Sequence, residues 1–334
     1  MAITSEKLDR NTWPKAMARA GDIALRTLLT GAGLAFAFWK VDPARLGLAL
    51  SGVSVTKLVL ALAFSLSIYL TQGLRLRLLS GASLSLARGV AASILCMGIN
   101  CLLPAKLGEA AKVLYLGRNG RLGTGTSLAL VFWERFGDLN AMALLGLAAL
   151  PFLGHGPETF LLPGIVGLLW LAVFLVRRRP APITSLLGKI PMAMLRRPLL
   201  DALDRLCQSN GPRFYFELTL STMLTVLASY TMTYALVAGV AGIPVTPQEL
   251  LVVFVISSLG SAVPAAPAGL GVYEASMILS LGWFGAAPEQ ALTAALALRA
   301  VLHIPAIMAA LVLAARSGLR LRGLGSDVNG AGQD

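Results

Sequence analysis

A chain of 334 residues that is 56% hydrophobic and 13% charged falls outside the soluble globular class, where about 25% of residues are charged. Its net charge of +12 does not point to nucleic acid, because the basic residues lie in short loops between apolar runs, where they set membrane topology. Cys96, Cys101 and Cys207 suggest no disulfide framework, and the distant His155 and His303 form no metal motif, so neither metal nor cofactor is expected.

Residues 1–22 are a polar, basic, cytoplasmic N-terminal segment. The first apolar run, Ile23–Trp39, is longer than a signal-peptide core and reads as a retained membrane helix; with an external loop it makes a unit over 23–57. About twenty apolar residues cross a bilayer, which predicts further full spans at Leu58–Leu79, Thr126–Leu150, Phe160–Val176, Phe214–Val240 and Ala291–Ala315.

Two further apolar stretches are broken in the same way. SILCMGINCLLPAKLGEAAKVLYLGR (Ser93–Arg118) and FVISSLGSAVPAAPAGLGVYEASMILSL (Phe254–Leu281) each stop at proline, Pro104 in the first and Pro264 and Pro267 in the second. A P-x-x-L-G turn follows, ending at Gly108 and Gly271, then a Glu and a second short apolar run. The connection Ala181–Arg213, with Pro182, Pro191 and Pro198 after Pro180, is expected along the cytoplasmic lipid surface. Residues 316–334 read as a disordered cytoplasmic tail.

Loop charges orient the chain. Lys7, Arg10, Lys15 and Arg19 precede span one; Arg75, Arg77 and Arg88 are counted at and after the end of span two; Lys106, Lys112, Arg118 and Arg121 surround the second half of the first broken segment; Arg177, Arg178 and Arg179 follow span four. Pro151–Thr159, Ala241–Glu249 and Gly285–Gln290 carry no Lys or Arg, which places both termini in the cytoplasm. Lys40, Arg45 and Lys57 in the loop after span one argue mildly the other way.

This topology requires each broken segment to enter and leave on one side. The predicted fold is thus an all-α polytopic membrane protein: six full spans plus two re-entrant helical hairpins, 89–117 and 250–284, in an inverted-topology repeat. Repeat 1 covers 58–150 and repeat 2 covers 214–315, joined by a connecting helix and basic loop over 151–213. Two kinked ordinary helices without symmetry are the alternative.

Span three carries WERFGD, Trp133–Asp138. Each central charge costs roughly 2.5–3.5 kcal/mol to insert, so Glu134, Arg135 and Asp138 must face protein, water or one another. They form either a self-neutralising cluster or the lining of a polar cavity. Arg299 and His303 share a face of span six, and repeat spacing sets Arg299 opposite Arg135.

After Pro104 and Pro267 a half-helix N-terminus exposes free N–H groups, where phosphate or carboxylate binds well. Gly108 and Gly271 allow close approach, and Glu109 and Glu274 either cap the dipole or pair with the arginines. The candidate substrate-binding set is Arg135, Arg299, Glu109, Glu274, Glu134, Asp138, Lys106, Gly108, Gly271, Pro104, Pro267, Tyr273 and His303. No nucleotide loop or catalytic motif accompanies it.

LPAKLGEAAKVLYLGR, FWERFGD and PAGLGVYEA, in that order and spacing, resemble the flippase-like membrane family that includes the N-terminal domain of the lysylphosphatidylglycerol synthase/flippase. Each motif is short, but the combination is distinctive and the resemblance covers about Ile23 to Ala315. It implies movement of lipid between leaflets, with aminoacylated phosphatidylglycerol as the best-known cargo. Relatives are linked to polyprenyl-phosphate-linked sugars and to hopanoid pathways. The chain ends after span six without an aminoacyl-transferase domain, which puts lysylphosphatidylglycerol in doubt as the cargo.

The expectation is a non-enzymatic lipid flippase of the bacterial inner membrane, acting on a lipid with a phosphate-containing headgroup, with no nucleic-acid partner. The oligomeric state is open, a homodimer among the alternatives. An intramembrane lipid-modifying enzyme and a scaffold subunit of an envelope-lipid complex are the competing readings.

Overall fold

The computed structural model describes residues 28, 31, 32, 34–36, 39, 41–103, 106–153, 161–208, 211–262 and 269–317. The N-terminal segment, most of Ile23–Trp39, Pro104, Pro264, Pro267 and the tail beyond 317 lie outside the described residues. Every regular element among those described is helical.

A short helix, α1 (Pro43–Ser51), starts with proline behind an Asp42 cap that accepts from the Ala44 amide at 2.8 Å. Helix α2 is Val55–Leu79, followed by α3 (Leu86–Leu102), α4 (Leu107–Arg118) and α5 (Thr124–Leu153). Helices α6 (Leu161–Arg178), α7 (Ala181–Gly188) and α8 (Ala193–Cys207) connect to α9 (Pro212–Tyr234), which continues as a π-helical turn, Ala235–Val240. Helices α10 (Pro247–Ala262), α11 (Val272–Gly282) and α12 (Pro288–Ser317) complete the described chain. Among the described residues, three stretches are long and apolar enough to cross a membrane: Val55–Leu79, Pro212–Val240 and Pro288–Ser317. Helix α5, with 30 residues, is about 45 Å long at 1.5 Å per residue, but carries charge in its middle. The protein is a multi-pass helical membrane protein.

Each broken segment is a pair of short helices packed on each other, α3 with α4 and α10 with α11. The reversals use unusual backbone: Lys106 is left-handed at φ 54°, and Gly269 and Gly271 have φ 66° and 85°. Gly108 brings the first two arms together. Its amide donates to Asn100 Oδ1 at 2.7 Å, and a Cβ at this position would lie 2.0 Å from the Cys96 carbonyl oxygen. Gly108→Ala is therefore expected to lower stability by about 1–3 kcal/mol through overpacking, read as a lower unfolding midpoint of the detergent-solubilised protein. An unchanged midpoint would show that the arms separate easily.

Helices α2 to α5 and α9 to α12 follow one plan. Their lengths are 25, 17, 12 and 30 residues in the first unit and 23, 16, 11 and 30 in the second. The units interlock reciprocally: α2 packs along α9, α3 against α12, and α10 against α5. Small residues permit the close crossings. A Cβ on Gly98 would lie 2.4 Å from the Ala310 Cβ, and one on Gly73 would lie 2.5 Å from Val90 Cγ2. The connection contains helices despite its prolines, because Pro182 sits in the first turn of α7 and α8 tolerates Pro198 internally while packing on α5.

Candidate functional site

Glu134, on α5, is fully buried between two cations. Its Oε1 accepts from Arg75 Nη2 at 3.2 Å and its Oε2 from Lys112 Nζ at 2.6 Å. Arg75 also donates through Nη1 to Asp138 Oδ1 at 2.6 Å and to Thr222 Oγ1 at 3.3 Å. Asp138, one helical turn beyond Glu134, spends its second oxygen on Arg135 Nη1 at 3.1 Å. Arg135 in turn faces Glu109 at 3.5 Å, from Nε to Oε1. Three cations and three carboxylates from α2, α4 and α5 thus neutralise one another, with a hydroxyl from α9 completing the cluster. The inner part is buried: the Arg75 and Lys112 side chains are 1% and 2% exposed. The outer part is open, with the Arg135 side chain 49% exposed and Glu109 at 25%.

The second unit holds a smaller group. Arg299, on α12, grips both oxygens of Glu274: Nη2 donates to Oε2 at 3.0 Å, and Nε donates to Oε1. Glu274 Oε2 also accepts from the Gly271 amide at 2.7 Å, capping the start of α11. The Tyr273 ring lies beside the Arg299 guanidinium, 5.5 Å from centroid to Cζ. His303 Nδ1 is 3.5 Å from Arg299 Nη1, beyond a normal hydrogen bond. The Arg299 side chain is 14% exposed and that of Glu274 4%.

Glu109 and Glu274 each occupy the third position of the second hairpin arm, and each faces an arginine on the last helix of its unit. The pairs are equivalent in position and unequal in state. Glu274–Arg299 is bidentate and buried, whereas Glu109–Arg135 is long and half-exposed, and the second Glu109 oxygen has no hydrogen-bond partner among the described residues.

The family pattern described as the lysylphosphatidylglycerol synthase transmembrane region matches residues 23–310. The chain belongs to this family. Membership carries a lipid-related, flippase-like membrane function. No curated protein shows a significant match.

Within this family member, the predicted site residues divide into groups. Glu109, Glu134, Arg135 and Asp138 come together in one cluster, and Gly271, Tyr273, Glu274, Arg299 and His303 in another. Gly108 serves hairpin packing, Lys106 stands exposed at the start of α4, and Pro104 and Pro267 lie outside the described residues.

Glu274 takes both roles expected for it, accepting from the Gly271 amide at the start of α11 and pairing with Arg299. The Gly108 amide donates to Asn100. One expectation needs correction. Arg75 and Lys112 are not loop charges that set topology; they are the buried counter-ions of Glu134. A signal for them was present. Span three holds two acids against one base, and a membrane helix with unbalanced charge needs a cation from a neighbour.

Proposed function

We propose that the protein is a lipid flippase rather than an enzyme, moving a lipid with a phosphate-containing headgroup across the bacterial cytoplasmic membrane. Its cargo is a phospholipid, an aminoacylated phospholipid or a polyprenyl-phosphate-linked lipid. The observation that carries this reading is the unequal state of the two Glu–Arg pairs. A buried bidentate pair is already satisfied. Arg135, held loosely by Glu109 and half-exposed beside a buried charge cluster, can exchange a carboxylate for a phosphate without disturbing the cluster beneath it.

In this mechanism the headgroup enters a polar cavity beside α5 while its tail stays in lipid. Phosphate displaces Glu109 from Arg135, and Glu109 and Asp138 hold the balancing charge or a proton. The two units lie in the membrane with opposite orientation, their hairpins re-entrant from opposite faces, and rocking of one unit against the other alternates access. Family membership and the reciprocal packing of the two units support this reading.

The test uses liposomes containing the purified protein and a fluorescent-headgroup phospholipid whose outer-leaflet fraction is quenched chemically. A charge-assisted bond contributes about 1.5–3 kcal/mol, so Arg135→Ala is expected to slow exchange by about tenfold to a hundredfold while eluting as folded protein. Wild-type rates in that variant would reject Arg135 as the phosphate site. Lipid mass spectrometry of cells with and without the gene separates the enzymatic alternative: a flippase changes sidedness and leaves lipid chemistry unchanged.

A further inference from the structure

Helices α6 and α8 flank an open groove of about 360 Å³ lined by Trp170, Val173, Phe174, Arg177, Arg178 and Cys207. We propose that it binds an anionic phospholipid at the headgroup level, as a site separate from the Arg135 cluster. Its volume is in the range of about 300–1,000 Å³ usual for small-ligand sites.

The lining is divided by chemistry. Trp170 and Phe174 present exposed aromatic surface along the apolar length of α6, and the two arginines stand where that apolar run ends in Arg177, Arg178 and Arg179. That is where an acyl chain gives way to a phosphate. The aromatic walls are held in place: Trp170 Nε1 donates to Asn140 Oδ1 at 2.6 Å, and its ring packs edge-to-face on Phe136 with centroids 4.8 Å apart.

Arg177 is likewise fixed, donating to the Tyr215 hydroxyl and, at 2.7 Å, to the Gln208 carbonyl. Arg178 is exposed, with its guanidinium 4.9 Å from the Phe174 ring centroid. The ionisable lining groups are thus two cations and a thiol; exposed Asp204, one turn before Cys207 on α8, is a carboxylate close enough to act on that thiol and is not part of the lining. An uncharged or zwitterionic lipid would fill the apolar part equally well. A zwitterionic phosphate brings its own ammonium toward Arg178, whereas a net negative headgroup meets that cation without opposing charge and is favoured there.

Trp170 is the built-in reporter. The protein is reconstituted with phosphatidylglycerol or phosphatidylcholine brominated in the acyl chains, and quenching specific to Trp170 is taken as the difference between wild type and Trp170→Phe. Brominated phosphatidylglycerol is expected to quench Trp170 at about fivefold lower mole fraction than brominated phosphatidylcholine, the factor appropriate to one interfacial arginine. Arg178→Gln, an exposed substitution that leaves the fold intact, should abolish that preference.

Arg135→Ala and Arg316→Gln should both keep it, the first because the sites are separate and the second because Arg316 is an exposed arginine on another helix. Equal quenching by the two lipids overturns the proposal, as does a preference that survives Arg178→Gln. Loss of the preference in Arg316→Gln reduces it to general surface charge, and loss in Arg135→Ala merges it with the translocation site; either result also overturns it. The site can fail this test while the flippase reading stands.

Discussion

Glu134→Ala is expected to be the most damaging single change in the described part of the molecule. The carboxylate is fully buried and accepts from both Arg75 and Lys112. Removing it leaves Lys112 buried without its counter-ion and shifts a balanced cluster to net positive charge. Breaking a buried ion pair from one side costs about 3–5 kcal/mol, enough to lower the unfolding midpoint by roughly 10 °C or to prevent recovery of folded protein. A second variant separates electrostatics from shape. In Glu134→Gln combined with Lys112→Met, no lone charge remains, and Arg75 keeps Asp138; this double variant should regain much of the loss. If it is as unstable as Glu134→Ala, charge pairing is not what holds these helices together.

Arg299→Ala comes next, and its effect should fall on stability. The guanidinium is the bidentate partner of Glu274, which sits 4% exposed at the start of α11. Its removal leaves a buried carboxylate with the Gly271 amide as its remaining hydrogen-bond donor among the described residues, again at a cost of about 3–5 kcal/mol. The equivalent change in the first unit should behave differently. Arg135 is half-exposed, where ion pairs contribute about 0–1 kcal/mol, so Arg135→Ala should leave the midpoint nearly unchanged while lipid exchange falls.

A double-mutant cycle between Glu274→Gln and Arg299→Ala should return a coupling of up to about 3 kcal/mol, against little between Glu109→Gln and Arg135→Ala. Equal couplings in the two units would contradict the unequal states assigned to the pairs.

The positions of the charges were legible because each inference depended on neighbours within one helix. Three charges in WERFGD inside an apolar run cannot face lipid, and Arg299 and His303 four apart must share a helix face. The breaks in the two apolar segments were legible for the same reason, since a helix interrupted by proline and glycine is a local event. Arg75 was not. It lies 59 residues from Glu134 and 63 from Asp138, and no periodicity along α2 reveals which carboxylate waits across the helix boundary. Lys112 shares a hairpin arm with Glu109 yet pairs with Glu134, a choice made by the way α4 lies against α5.

The sequence by itself determined the membrane class, the all-helical content, the paired broken segments and the presence of charge where lipid would reject it, because composition and short-range spacing decide those properties. Only the tertiary structure decided which charges neutralise which, and that the two Glu–Arg pairs differ. A buried ion's free energy depends on the few ångströms between it and its partner and on the water excluded around both. Those distances are set by how separate helices cross, at small residues such as Gly73, Gly98 and Gly108, and so arise only when the whole chain has packed.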